Sequence, residues 1–123
     1  MISGRRNAAA HRPPGRRGSG GDEHDRSLYS GLVRLHILHH AAAGAVFGQW
    51  MIDELGRHGY RLSAGTLYPI LHSMERQGYL RSRNQRDGGR ARRVYRATPL
   101  GRRALATARR RAQELFGEMF ERE

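Results

Sequence analysis

The sequence predicts a mainly α-helical chain with one small β-hairpin, and three observations carry that fold class. Residues 62–80 read LSAGTLYPILHSMERQGYL, a short helix with one apolar face that Gly78 stops. An arginine-dense stretch follows, folded back on itself at Asp87, Gly88, Gly89 and Arg90, a strong hairpin-turn signal. From Pro99 a last helix carries apolar residues at heptad-like spacing. A short amphipathic helix with a basic hairpin behind it is the pattern of a winged helix-turn-helix, here with a long C-terminal dimerisation helix.

The elements follow from local signals. Residues 1–26 hold Gly, Ser, Pro13, Pro14 and six arginines, without the apolar periodicity that would offset the entropy of ordering. They are expected to be a disordered basic N-terminal tail; a basic arm trailing along DNA is the alternative. Residues 27–98 form the expected winged domain. Its first helix begins with Ser27 as N-cap, carries Leu28, Leu32, Leu35 and Leu38 at spacings of four and three, and ends at Gly44. A second helix runs from Phe47 to about His58, with Trp50, Met51 and Leu55 inward and Asp53 and Glu54 outward; Gly59 stops it. The third starts after Ser63 and runs to about Gln77, burying Leu67, Ile70, Leu71 and Met74. Pro69, past the first turn, removes one backbone bond and predicts a distorted or late-starting helix. Strands follow at about Leu80–Arg86 and Arg92–Ala97. Thr98 and Pro99 then supply an N-cap and a first-turn proline for a last helix to about Glu121, so residues 99–123 form the dimerisation segment.

Composition narrows the function classes. The 123 residues suit one domain. All 23 basic residues are arginine, against 11 acids, and the net charge of +12 favours a polyanionic partner. Nucleic acid leads over an anionic membrane surface, because the arginines are not laid along one amphipathic helix. There is no cysteine, hence no disulfide, thiol nucleophile or thiolate metal site. The longest apolar run, Ala41 to Phe47, is interrupted at Gly44 and far too short for a bilayer. The arginine-bearing N-terminus has no apolar core of a secretory signal, so the cytoplasm is the expected location.

Three constellations bear on function. The outward face of the third helix holds Ser63, Gly65, Thr66, Tyr68, His72, Ser73 and Arg76. Small residues there permit close approach to phosphate, and the hydroxyls can reach phosphates or base edges. An ordinary wetted helix face would look the same, but the hairpin shifts the balance. Eight arginines and one acid lie between Arg76 and Arg96, on both faces of the ribbon, and phosphate contacts give that repulsion a reason. Gly89, Arg90, Arg92 and Arg93 are the wing candidates. The third constellation is the seam Leu105, Ala108, Ala112, Leu115 and Met119, widened by Phe116 and Phe120, on a helix about 35 Å long that cannot bury its seam on so small a body. Pairing with a second copy covers it, together with Leu28 and Leu32 of the first helix.

His36, His39 and His40 cluster on the first helix without a third kind of ligand at a telling spacing. They are read as partly buried polar groups at the dimer surface, and no metal or cofactor is expected. Trp50 is read as core. Asp53 and Glu54, adjacent on a helix, point in different directions, which suits no paired acid–base work. No phosphate-cradling glycine loop, nucleophile elbow or catalytic histidine–acid spacing is present, so an enzyme is not expected.

These residues resemble the PadR family of bacterial transcription regulators. The likeness rests on Ser63, Gly65, Thr66, Leu67, Tyr68, Pro69, Leu71, Glu75, Gly78 and Leu80, and continues through Gly88, Gly89, Arg90, Tyr95, Thr98, Pro99, Leu100 and Gly101. It spans about Leu28 to Leu105, and the single terminal helix resembles the family's short form. The resemblance implies a homodimer that binds double-stranded DNA at an inverted-repeat operator, commonly as a repressor released by a small-molecule effector. It implies DNA contacts at Ser63, Gly65, Thr66 and Tyr68 and, in the wing, at Gly89, Arg90 and Arg92. The segment Phe47-Gly48-Gln49-Trp50 departs from the family's usual histidine-glycine-tyrosine-acid run, so the effector pocket is not carried over. A non-specific nucleoid-type or RNA-binding protein driven by charge, and a protein-interaction module, are the other classes the residues leave open.

Overall fold

The computed structural model describes residues 17–121, with the order α1 (Arg17–Ala43), β1 (Val46–Phe47), α2 (Gly48–Arg57), α3 (Ala64–Arg76), β2 (Leu80–Asp87), β3 (Arg90–Ala97) and α4 (Pro99–Met119). The chain divides into two compact units after Gly31. In the first, the described residues 17–31 are helical, and Leu28 is 72 % exposed. Helix α1 thus starts ten residues before the expected cap at Ser27, because extending a formed helix costs far less than nucleating one. The remainder of the expected tail, residues 1–16, lies outside the described residues.

The second unit holds the hydrophobic core. On α1 the buried side chains are Val33, Ile37, Leu38 and Ala41, while Leu32 and Leu35 are half-buried. Of the leucine series, Leu38 joins the core, Leu35 packs against it, and Leu32, read as part of the dimer surface, is half-buried. Helix α2 buries Gly48, Met51 and Leu55, spaced three and four. Trp50 lies one residue off that stripe, roughly 100° around the helix, and is 40 % exposed: it is a surface residue and not core. Helix α3 contributes Leu67, Leu71 and Met74, and the strands add Val46, Leu80 and Tyr95 to the same cluster.

The sheet is three-stranded and antiparallel in the order β1-β3-β2. Strand β1 occupies the two residues Val46 and Phe47, paired with Tyr95 and Val94, and it moves the start of α2 from Phe47 to Gly48. The hairpin is tighter than the four-residue turn expected. Its strands pair from Leu80↔Ala97 to Asp87↔Arg90, which leaves Gly88 and Gly89 as a two-residue connection with φ of +60° and +84°. Positive φ at both centres is the type I′ requirement, which glycine meets without a Cβ penalty.

The junction between α3, the wing and α4 is fixed by Thr98. Its Oγ1 accepts from the Gly101 amide at 2.9 Å as the N-cap of α4 and donates to the Gly78 carbonyl, while its own amide donates to Tyr79 O at 3.0 Å. Gly101 then lies against the Tyr79 backbone, where a Cβ would fall 2.2 Å from the carbonyl oxygen. Gly101→Ala is expected to lower the stability of the chain by about 1–3 kcal/mol in urea unfolding, since backbone blocks the methyl. Gly117→Ala in the same helix, where a Cβ meets nothing within 4 Å, should instead leave stability unchanged or raised by up to about 1 kcal/mol.

Candidate nucleic-acid interface

Helices α2 and α3 are joined by residues 58–63, with Gly59 at φ +91° closing α2. Ser63 caps α3 by accepting from the Thr66 amide at 3.3 Å, so the helix begins at Ala64. Pro69 lies inside α3 without ending it. The backbone bond it removes would have reached the carbonyl of Gly65, an exposed residue open to water, which softens the cost the sequence suggested.

Burial of Leu67, Leu71 and Met74 turns the opposite side of α3 outward. Ser63, Gly65, His72 and Arg76 are exposed, and Thr66, Tyr68 and Ser73 are half-buried. Tyr68 and His72 neighbour each other one turn apart, ring centres 6.3 Å from each other. The Tyr68 phenol has a packing role that its position on the polar face did not reveal. Its hydroxyl covers Gly48, where an added Cβ would fall 2.1 Å from Oη, so any side chain at the first residue of α2 would have to push the Tyr68 ring aside. Nothing in the spacing of residues 48 and 68 signals that contact.

The pairing register sorts the wing arginines, because residues directly opposite on antiparallel strands project to the same face. Arg81 pairs with Arg96, Arg83 with Val94 and Gln85 with Arg92, and Arg90 continues the alternation. Five arginines (81, 83, 90, 92 and 96) therefore share one face, which is sharper than the two-sided spread read from sequence. The other face carries Tyr95, Ser82, Asn84, Arg86 and Arg93. Both arginines on that side have protein acceptors: Arg86 closes the turn on the Gly89 carbonyl at 3.1 Å, and Arg93 donates to Ser82 Oγ at 2.8 Å. Ser82 in turn donates to Glu75 of α3 at 2.7 Å, a hydrogen-bonded chain from α3 to the wing. On the five-arginine face, the Arg92 guanidinium lies over the Phe47 ring, 4.7 Å from its centre, and anchors β3 to β1.

Helix α4 buries Gly101 and Leu105. Ala108, Ala112 and Phe116 are half-buried, whereas Leu115, Met119 and Phe120 are 56 %, 64 % and 74 % exposed. A groove lined by Leu32, Leu35, His36, Leu105 and Ala112 runs along the inner half of this helix.

A polar cluster that the sequence did not assemble joins α1 to α2. His36 and His40, half-buried, meet Glu54 and His58, while His39 is exposed. The only sequence signal was a pair of i,i+4 spacings on two helices. Burial, then the neighbouring imidazoles, holds the pKa of His36 below its ordinary value, and burial followed by His39 does the same for His40. The hydrogen bond from Arg57 keeps the Glu54 carboxyl below the usual range.

Residues 37–107 match the model of the transcriptional regulator PadR-like family. The chain belongs to that family. This PadR-like regulator is 56 % identical over 94 residues to the transcriptional regulator Rv3488 of Mycobacterium tuberculosis, across 76 % of this chain and 88 % of the relative. The crystal structure of a PadR family transcriptional regulator from Eggerthella lenta superposes with a TM-score of 0.69 at 26 % identity, covering 86 % of this chain and 96 % of that one. A PadR-like regulator from Bacillus cereus shares the fold, with a TM-score of 0.70 at 20 % identity over 79 % of this chain and 99 % of its own. The family is one of regulators and not of enzymes. Among the described residues no helix is long and apolar enough to cross a membrane.

The contact between α2 and α3 yields a direct test. Gly48→Ala should cost about 1–3 kcal/mol in urea unfolding by displacing Tyr68. In a double-mutant cycle with Tyr68→Ala most of that increment should vanish, and strict additivity would show that the two residues do not meet.

Proposed function

We propose that this PadR-like regulator works as a homodimer that reads an inverted-repeat operator in double-stranded DNA. The observation that carries the proposal is the pairing of two surfaces on one unit: the outward face of α3 and a wing with five arginines on one side. In this reading Ser63, Gly65, Thr66, Tyr68, His72 and Arg76 lie along the major groove. The amides at the start of α3 face phosphate, and exposed His72 reaches base edges. Gly89, Arg90 and Arg92 follow the flanking backbone or minor groove, where cations are drawn by the phosphate field. Arg93, held by Ser82, serves there mainly to set the wing on α3.

Dimerisation draws support from apolar surface. Leu115, Met119 and Phe120 stand exposed at the end of a 21-residue helix about 32 Å long. Contiguous apolar surface of this kind marks an interaction site. A second copy would cover Leu105, Ala108, Ala112, Leu115, Phe116, Met119 and Phe120 together with Leu32, and present two α3 helices to successive major grooves about 34–36 Å apart. The bound dimer would act in the cytoplasm as a repressor by occupying the operator. An effector of the kind the family resemblance implies has a candidate pocket beside Trp50, lined by His40, Ala43, Val46 and Phe47.

The division of roles is tested by salt titration of binding to a selected operator and to unrelated duplex. If about eight phosphates are neutralised, the log–log slope should be near −7. Arg90→Ala should weaken binding to both duplexes and reduce the slope by about one. His72→Ala should narrow the gap between operator and unrelated DNA by about 1–3 kcal/mol with the slope preserved. Equal losses on both duplexes from both substitutions would contradict the assignment, and absence of any operator preference would favour a charge-driven nucleoid-type protein.

A further inference from the structure

We propose that His36 and His40 of α1 with Glu54 and His58 of α2 form a binding site for one divalent transition-metal ion of the zinc class, which would clamp the two helices together. Each helix supplies a pair of donors one turn apart, and the pairs face each other. The Nε2 atoms of His36 and His40 lie 3.2 Å apart. Glu54 Oε2 lies 3.4 Å from His40 Nε2, 3.9 Å from His36 Nε2 and 3.1 Å from His58 Nε2. A donor atom from each of His36, Glu54 and His58 falls within 4.8 Å of the others. Around a four-coordinate zinc ion with bonds of about 2.0–2.1 Å, neighbouring donors are separated by about 3.3 Å, and the four separations just given, from 3.1 to 3.9 Å, lie around that value.

The chemistry of the cluster favours a metal over a hydrogen-bonded group of side chains. Glu54 divides its two oxygens: Oε1 is held by Arg57, and Oε2 faces all three imidazoles. A carboxylate oriented by a hydrogen-bonding partner in this way is the usual support of a metal ligand. Three imidazole nitrogens and one carboxylate oxygen thus converge on the same point. One cation satisfies them together. Three imidazole nitrogens with one oxygen suit zinc, cobalt, nickel or copper ions, and are poor for magnesium or calcium, which take oxygen ligands. The site stands apart from the α3 face and the wing, and holds whether or not the chain reads an operator.

The test uses the full chain without an affinity tag, stripped of metal with a chelator and dialysed. Calorimetric titration at neutral pH should give one Zn2+ per chain and a raised Tm, with no matching response to Mg2+. Co2+ added to the same apo-protein should produce the intense visible bands of a four-coordinate centre. His36→Ala and Glu54→Gln should each weaken Zn2+ binding by at least about tenfold and abolish those bands. Failure to bind Zn2+, equal affinity for Mg2+, the pale spectrum of hydrated Co2+, or affinity unchanged in the folded His36→Ala/His58→Ala double variant would each overturn the proposal. None of these readouts involves DNA.

Discussion

The structure depends on how α3 is seated. Leu67 and Leu71 are wholly buried and Met74 nearly so, in one small cluster shared with α1, α2 and the root of the wing. A helix of 13 residues would be marginal in isolation, so this burial is what makes it a helix and what selects the face it shows to solvent. Three further contacts fix its remaining freedom. Ser63 sets where it starts, the Tyr68 phenol over Gly48 sets its approach to α2, and the Glu75–Ser82–Arg93 chain sets the wing beside it. Each belongs to a residue that also lies in or next to the proposed DNA surface, so positioning and recognition are built from the same side chains.

Electrostatics explain why the wing does not fold away. With +12 on 123 residues, the compact state already repels itself. Register then places Arg81 directly opposite Arg96 on the same face as Arg83, Arg90 and Arg92. The fold tolerates this by anchoring the ribbon through uncharged or internally paired contacts: Tyr95 and Val94 buried at its root, the glycine turn closed by Arg86, and Arg92 laid on Phe47. What remains is a face that carries five arginines.

Much of this was legible in the sequence because its signals are local. The caps Ser63 and Thr98, the glycines after α2 and α3, the Gly88-Gly89 turn and the apolar spacing of α3 and α4 each act over a few residues, and the elements follow them within a few positions. The misses lie where long-range packing decides. A strand of two residues has no period, so β1 left no trace in Val46 and Phe47. Trp50 looked like core by hydrophobicity, but α2 buries the stripe of Met51 and Leu55 beside it. On α1 the leucine spacing did not reveal that Val33, Ile37 and Ala41 join Leu38 in the core. The Glu54 cluster was hidden for the same reason, since each half is an unremarkable i,i+4 pair until α1 and α2 are brought together.

In the proposed function the α3 face and the wing act together, in a dimer, to read sequence. Selecting duplexes from a random library with the purified chain at about 0.15 M salt, where charge-driven binding is weak, tests it most directly. Recovery of an inverted repeat with half-sites about one helical turn apart is the expected result. Recovery of duplexes with no shared sequence would contradict it.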